Sequence, residues 1–125
     1  MSINIESKIE KDYLNLKFTG PFTLKEALKA YQCTIDDALK YDKTKILIDV
    51  NEVSGTMTTW ERFETSEFLA TYYQKCAFGK IKRIAFIGKE PLVDRQRFGE
   101  TVAVNRYLNV RIFTILSEAI KWISD

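Results

Sequence analysis

A chain of 125 residues fits one domain, residues 1–125, and at 46% hydrophobic and 29% charged it has the balance of a folded globular protein rather than a disordered one. A net charge of +2 with acidic residues interleaved throughout gives no footing for nucleic acid, and no window approaches the roughly 20 apolar residues of a membrane span. The absence of histidine removes Ser-His and Cys-His catalysis, most zinc chemistry and the commonest general base.

The opening residues, Met1 to Glu6, are polar and strand-like, with no basic stretch leading into an apolar one, so no signal peptide is expected. Ile3, Ile5 and Ile9 read as a half-buried strand, Lys11-Asp12 as a turn, and Leu14, Leu16 and Phe18 as a second strand. Strands this close predict an antiparallel hairpin, ended by Gly20-Pro21. Thr23 with Glu26 three residues on predicts a capping box for a helix carrying Leu24, Ala27, Leu28, Tyr31, Ile35, Ala38 and Leu39. Tyr41 to Thr44 closes it.

Lys45 to Val50 is a short apolar run of the kind buried inside a parallel sheet, followed by a polar loop, Asn51 to Thr56. A helix is then expected from about Thr59 to Cys76, capped by Thr58 or Thr59. Helical spacing places Phe63, Leu69, Ala70, Tyr72, Tyr73 and Cys76 on its apolar face and leaves Trp60 and Phe68 off that face. Phe78-Gly79 ends it, with Gly79 as the C′ residue. Ile81 and Ile84 to Ile87 make the next strand, ended by Gly88. A helix over Leu92–Leu108, a strand at Val110–Phe113 and a last helix with Ala119, Trp122 and Ile123, capped by Thr114 or Ser117, complete the chain. The order β-β-α-β-α-β-α-β-α with short connections predicts parallel pairing after the hairpin, because right-handed crossovers are nearly obligatory. Cys33 and Cys76, far apart within helical patterns, are expected to be buried free thiols of a cytoplasmic protein rather than a redox or metal pair.

Several short pieces resemble the STAS / SpoIIAA-like family, the small bacterial SpoIIAA-like proteins in particular. They are Ile48-Asp49-Val50 with Val53-Ser54-Gly55, Glu61-Arg62-Phe63, Phe98 with Thr101-Val102-Ala103 and Asn105-Arg106, and Val110 to Thr114 with Glu118-Ala119 and Trp122-Ile123. The resemblance implies an α/β domain: an N-terminal antiparallel hairpin, then a parallel sheet wound as a four-turn βα superhelix, its helices mainly on one side. It also implies a non-enzymatic role without a cofactor. In anti-sigma factor antagonists of this fold a kinase phosphorylates a Ser or Thr where the helix after the central strand begins. That place falls at Thr58, with Thr59 beside it. The family's loop carries an Asp just before the modified residue, where this sequence has Met57, and a small residue where it has Trp60.

Three readings of function follow. The first is a binding module that meets a protein partner, or a second copy of itself as a homodimer, through Ser54 to Trp60 and the exposed side of the following helix, with Trp60, Phe63 and Phe68 as contacts. The second, which the resemblance also implies, is a carrier of a lipid or other small apolar ligand. The third is a kinase-regulated antagonist modified at Thr58 or Thr59. Asp49 at the strand end is a candidate ligand carboxylate, though such an Asp more often serves loop amides. Arg95, Arg97 and Arg106, from a basic group that also holds Lys80, Lys82, Arg83, Lys89 and Arg111, are candidates for a phosphate, carboxylate or lipid headgroup. Glu61, Glu64 and Glu67 have no His or Asp partner nearby and read as a solvated helix face.

Overall fold

The structure, a computed structural model, describes residues 3–89 and 108–125. The expected hairpin is present: β1 (Asn4–Ile9) runs antiparallel to β2 (Leu14–Pro21), with Ile5 opposite Phe18, Ser7 opposite Leu16 and Ile9 opposite Leu14. The chain continues through α1 (Leu24–Lys40), β3 (Lys45–Ser54), α2 (Thr59–Cys76), β4 (Arg83–Ile87), β5 (Val110–Phe113) and α3 (Leu116–Ser124). The sheet order is β1-β2-β3-β4-β5, and every pair after the hairpin is parallel. The helix expected over residues 92–108 lies outside the described residues, except for Leu108, which is buried.

Strand alternation divides the core in two. Leu14, Leu16, Phe18, Ile46, Ile48, Ile84, Phe86 and Val110 face one way and form a cluster with Ala30, Ile35 and Ala38 of α1 and Leu69, Ala70 and Tyr73 of α2. Leu47, Ala85 and Ile87 face the other way and receive Ala119 and Ile123 of α3. Two of the three described helices therefore share one face, as the fold family implies. β3 and β4, covered on both faces, carry unbroken apolar runs, whereas β2 alternates apolar and polar residues.

α1 is fixed at both ends by local chemistry. Thr23 Oγ1 accepts from the Glu26 N–H at 3.3 Å. At the other end Asp42 turns to φ +55°, and the amides of Asp42 and Lys43 donate to the carbonyls of Leu39 and Ala38. That is a Schellman closure with Asp in the place usually held by Gly. Lys43 Nζ then donates to the carbonyls of Glu10 (2.8 Å) and Lys11 (3.1 Å), tying the helix end to the hairpin turn.

Four sequence expectations are corrected. β3 does not end at Val50 but runs on to Ser54, pairing Thr19 with Glu52, Gly20 with Val53 and Pro21 with Ser54. A bulge between Lys17 and Thr19 absorbs one extra residue, which lets both Val50 and Val53 pack on the α1/α2 side although they are three apart. The buried face of α2 is Thr65, Leu69, Ala70 and Tyr73, whereas Cys76 is exposed and Phe63 and Tyr72 are half-buried. Thr65 enters the core because its hydroxyl donates back to the Arg62 carbonyl at 3.1 Å. Cys33 and Cys76 are both free and exposed: Cys33 lies opposite the buried stripe of α1, and Cys76 is the last residue of α2. Neither Thr114 nor Ser117 caps α3; its N-cap is Ile115, with no side-chain cap bond, because Thr114 precedes the cap position and Ser117 is already inside the helix.

Candidate functional site

Extension of β3 shrinks the polar loop to Gly55–Thr58. Its entry is pinned by the Phe22 amide, which donates to the Ser54 carbonyl at 2.9 Å, so Ser54 ends the strand with its main chain engaged. Gly55 follows at φ +96°, where a side chain would oppose the backbone; a Cβ there would meet only Phe22 Cβ at 3.8 Å, so conformation rather than space selects glycine.

The loop's exit is a complete capping box. Thr58 Oγ1 accepts from the Glu61 N–H at 3.1 Å, and Glu61 Oε1 accepts from the Thr58 N–H at 2.9 Å. This settles the cap on Thr58 and leaves Thr59 as the first helical residue, exposed. Two of the orphan donors at the helix start are thereby satisfied within the chain. Met57, half-buried, sets its sulfur 4.0 Å from the Thr65 hydroxyl and closes the loop onto the helix.

Trp60 projects from this first turn and is 64% exposed. Its ring stacks on Phe63, with centroids 5.9 Å apart and planes 27° from parallel. Ser54, Thr58, Thr59, Trp60 and Phe63 are thus brought to one end of the sheet. Phe68 is not part of that patch. It is half-buried and stacks on Tyr72 at 6.0 Å and 8°, on the flank of α2 that meets α1. There the Tyr72 hydroxyl donates to Asp36 Oδ1 at 2.7 Å. That hydrogen bond to Asp36, before burial, pushes the Tyr72 phenol up to about 12. One turn earlier along this seam Tyr31 packs on Phe86, and burial raises its phenol to about 12, while a hydrogen bond with the Thr65 side chain works the other way.

Asp49 does not reach the loop either. Its Oδ1 accepts from the Asn51 N–H at 2.9 Å, and it lies on the Leu47 side of β3, away from α2. Arg95, Arg97 and Arg106 lie outside the described residues. Of the rest of the basic group, Arg83 and Arg111 serve the fold. Both guanidinium groups lie over the Trp122 ring, at 5.3 and 5.6 Å from its centroid. Arg83 also donates to the carbonyl of Trp122 at 2.6 Å and the main-chain oxygen of Asp125 at 3.3 Å, and Lys45 Nζ donates to the latter at 2.6 Å. Lys80, Lys82 and Lys89 are exposed.

Spacing alone missed four exposed apolar residues, of which Ile9, read as part of a half-buried strand, is 53% exposed. Phe78 is 65% exposed, leaning on Tyr73 just past the end of α2, and Ile115 and Leu116 are about half exposed at the start of α3. Phe78 follows the helix cap at Ala77, where a helical pattern no longer predicts orientation. Among the described residues no helix is long and apolar enough to cross a membrane, and no group of three or more His, Cys, Asp or Glu side chains is placed to hold a metal ion.

A hairpin feeding a parallel βα sheet, with a capped helix after the central strand, defines a SpoIIAA-like α/β domain. A family model for SpoIIAA-like proteins matches residues 13–124, and the chain belongs to that family. Similar solved structures include an anti-sigma factor antagonist from Mycobacterium paratuberculosis, at 14% identity and a TM-score of 0.65, covering 99% of this chain and 96% of that one. Another is a protein with a SpoIIAA-like fold from Shewanella loihica PV-4, at 24% identity and a TM-score of 0.55, covering 98% of this chain and 94% of that one. At these identities the likeness is one of fold. No curated protein is similar enough to match.

Proposed function

We propose that this SpoIIAA-like chain is a regulatory module that works by binding a protein partner rather than by chemistry, and that the partner seats on residues 55–60 and the first turns of α2. The observation that carries this reading is Trp60: a large apolar side chain, 64% exposed, braced on Phe63 in a helical turn locked by its capping box. An aromatic already held in place loses little freedom on binding, and tryptophan is enriched among residues that dominate interface energies. The Mycobacterium neighbour, named as an anti-sigma factor antagonist, makes a protein partner the natural analogy.

Phosphate on the exposed Thr59 would leave the capping box intact, whereas phosphate on Thr58 would compete with it. The hydroxyl is the acceptor of the cap, and a phosphate there would face the Glu61 carboxylate that now bonds the Thr58 N–H. Cross-linking in the native host tests the binding surface. The wild-type chain should capture one protein that Trp60→Ala loses and that Phe78→Ala, at the opposite end of α2, retains. Capture of the same protein by all three, or its equal loss from both variants, would sink the proposal.

A further inference from the structure

We propose that the open edge of β1 is a self-recognition surface, on which a second copy of this chain adds its own β1 in an antiparallel, two-fold arrangement centred on Ser7. Among the described residues β1 pairs only with β2. Asn4, Glu6, Ser7, Lys8 and Ile9 are all exposed, Ile9 at 53%.

Main-chain polarity sets which groups are free. The Glu10 N–H donates to the Tyr13 carbonyl at 3.0 Å, which makes Glu10 and Tyr13 a hydrogen-bonded pair. Antiparallel ladders alternate such pairs with non-bonded ones. With Lys8 opposite Asn15 and Glu6 opposite Lys17, Lys8 and Glu6 therefore also turn their main-chain groups toward β2. Ile5, Ser7 and Ile9 turn theirs outward, three evenly spaced donor–acceptor sets on an unfilled edge.

Side chains then select one register. A two-fold axis through Ser7 places Ser7 opposite itself, Ile5 opposite Ile9 of the second copy, and Glu6 opposite Lys8 of the second copy. Every outward main-chain group meets another outward group. Both Ile pairs fall on the α1/α2 side of the sheet, and both Glu–Lys pairs fall on the other side. Shifting the axis to Glu6 sets Glu6 against itself. Shifting it to Lys8 sets Lys8 against itself and Glu6 against Glu10. A one-residue slip pairs outward groups with inward ones. Charge at a strand edge ordinarily keeps chains apart. Here Glu6 and Lys8, two residues apart on one face, make the edge complementary to its own copy. Lys8 is free to take part: its ion pair with Glu10 is 3.4 Å long and its side chain is 77% exposed. Six residues of edge are short of a standard stable interface, so the dimer forms at high concentration.

Sedimentation equilibrium between roughly 10 µM and roughly 1 mM measures it. The wild type should pass from monomer to dimer over that range. Ser7→Pro removes only an outward N–H and leaves the ladder to β2 intact, so it should weaken association about tenfold or more with an unchanged circular-dichroism spectrum. Glu6→Lys alone and Lys8→Glu alone should each be monomeric, because each sets like charges opposite one another, whereas a mixture of the two should recover dimerisation as a heterodimer, because it restores both Lys–Glu cross-strand pairs of the wild type. Trp60→Ala should leave all of this unchanged, which separates the edge from the partner surface. A wild type that stays monomeric throughout, a dimer indifferent to Ser7→Pro, or charge variants that fail to rescue each other on mixing would overturn the proposal.

Discussion

Replacing Thr58 by Ala is the sharpest test of how the start of α2 is built. The change removes the Oγ1 that accepts from the Glu61 N–H at 3.1 Å, and it leaves Glu61 Oε1 on the Thr58 N–H without its reciprocal partner. Loss of a threonine N-cap costs about 1 kcal/mol. For a domain of this size that is about 4 °C in Tm. Thr59→Ala, one residue on, removes a hydroxyl that takes no part in the cap and should change stability by less than about 0.3 kcal/mol; Ala is also the better helix former. Glu61→Ala should cost about as much as Thr58→Ala, and the double variant less than the sum, because either change dismantles the same box. Urea unfolding followed by circular dichroism measures all four chains. Equal losses for Thr58→Ala and Thr59→Ala would refute the cap assignment, and strict additivity of Thr58→Ala with Glu61→Ala would refute the reciprocal box.

Two further outcomes follow from the other contacts. Arg83→Gln removes a guanidinium from over Trp122 together with charge-assisted donors to the Trp122 and Asp125 main chain, and should lower stability by about 1–2 kcal/mol; an unfolding free energy from urea titration within about 0.3 kcal/mol of wild type would show that the C-terminal helix does not depend on this clamp. Phenolate absorbance titration should show two of the six tyrosines, Tyr31 and Tyr72, ionising near 12, above the ordinary value of 10. Because both folded values lie above the unfolded one, their contribution to stability is complete below about pH 10 and is lost as the pH rises toward 12. Asp36→Asn should bring Tyr72 back toward 10 and leave Tyr31 where it is; a Tyr72 unmoved by that change would rule out the Asp36 hydrogen bond as its cause.

Much of the fold was legible because its signals are local. The alternation of Leu14, Leu16 and Phe18, the run Ile46 to Ile48, and Thr23 ahead of a 3.6-residue pattern each sit within one element, and the structure keeps all of them. What escaped depends on a partner strand or helix. β3 outruns Val50 because a bulge against β2 lets Val53 reach the core, and nothing within Asn51–Ser54 announces a bulge. The face of α2 is rotated toward Thr65 because α1 lies beside it, which sets Thr65 against Tyr31 and leaves Tyr72 at the helix seam, bonded to Asp36. Arg83, Arg111 and Trp122 come from three elements, and no spacing rule brings them together. At the candidate site the cap was narrowed to Thr58 or Thr59 and Trp60 to a non-core position. The division of the aromatics into a Trp60–Phe63 pair and a Phe68–Tyr72 pair required the neighbouring helix.

Rigidity is the common consequence of the devices around residues 55–60, and it bears on how such a surface acts. The bulge carries β3 pairing as far as Ser54, Gly55 turns the chain at a φ few other residues tolerate, and Thr58 and Glu61 satisfy each other's amides. Each removes freedom from the turn that holds Trp60, and each does so with groups that an order–disorder switch would need to leave uncommitted. Glu61 already occupies the Thr58 N–H, and the Thr58 hydroxyl accepts from the Glu61 amide, while Thr59 stays exposed outside the box. For the contact surface proposed above, the ordering cost is met in advance by folding, so binding there needs no disorder-to-order step.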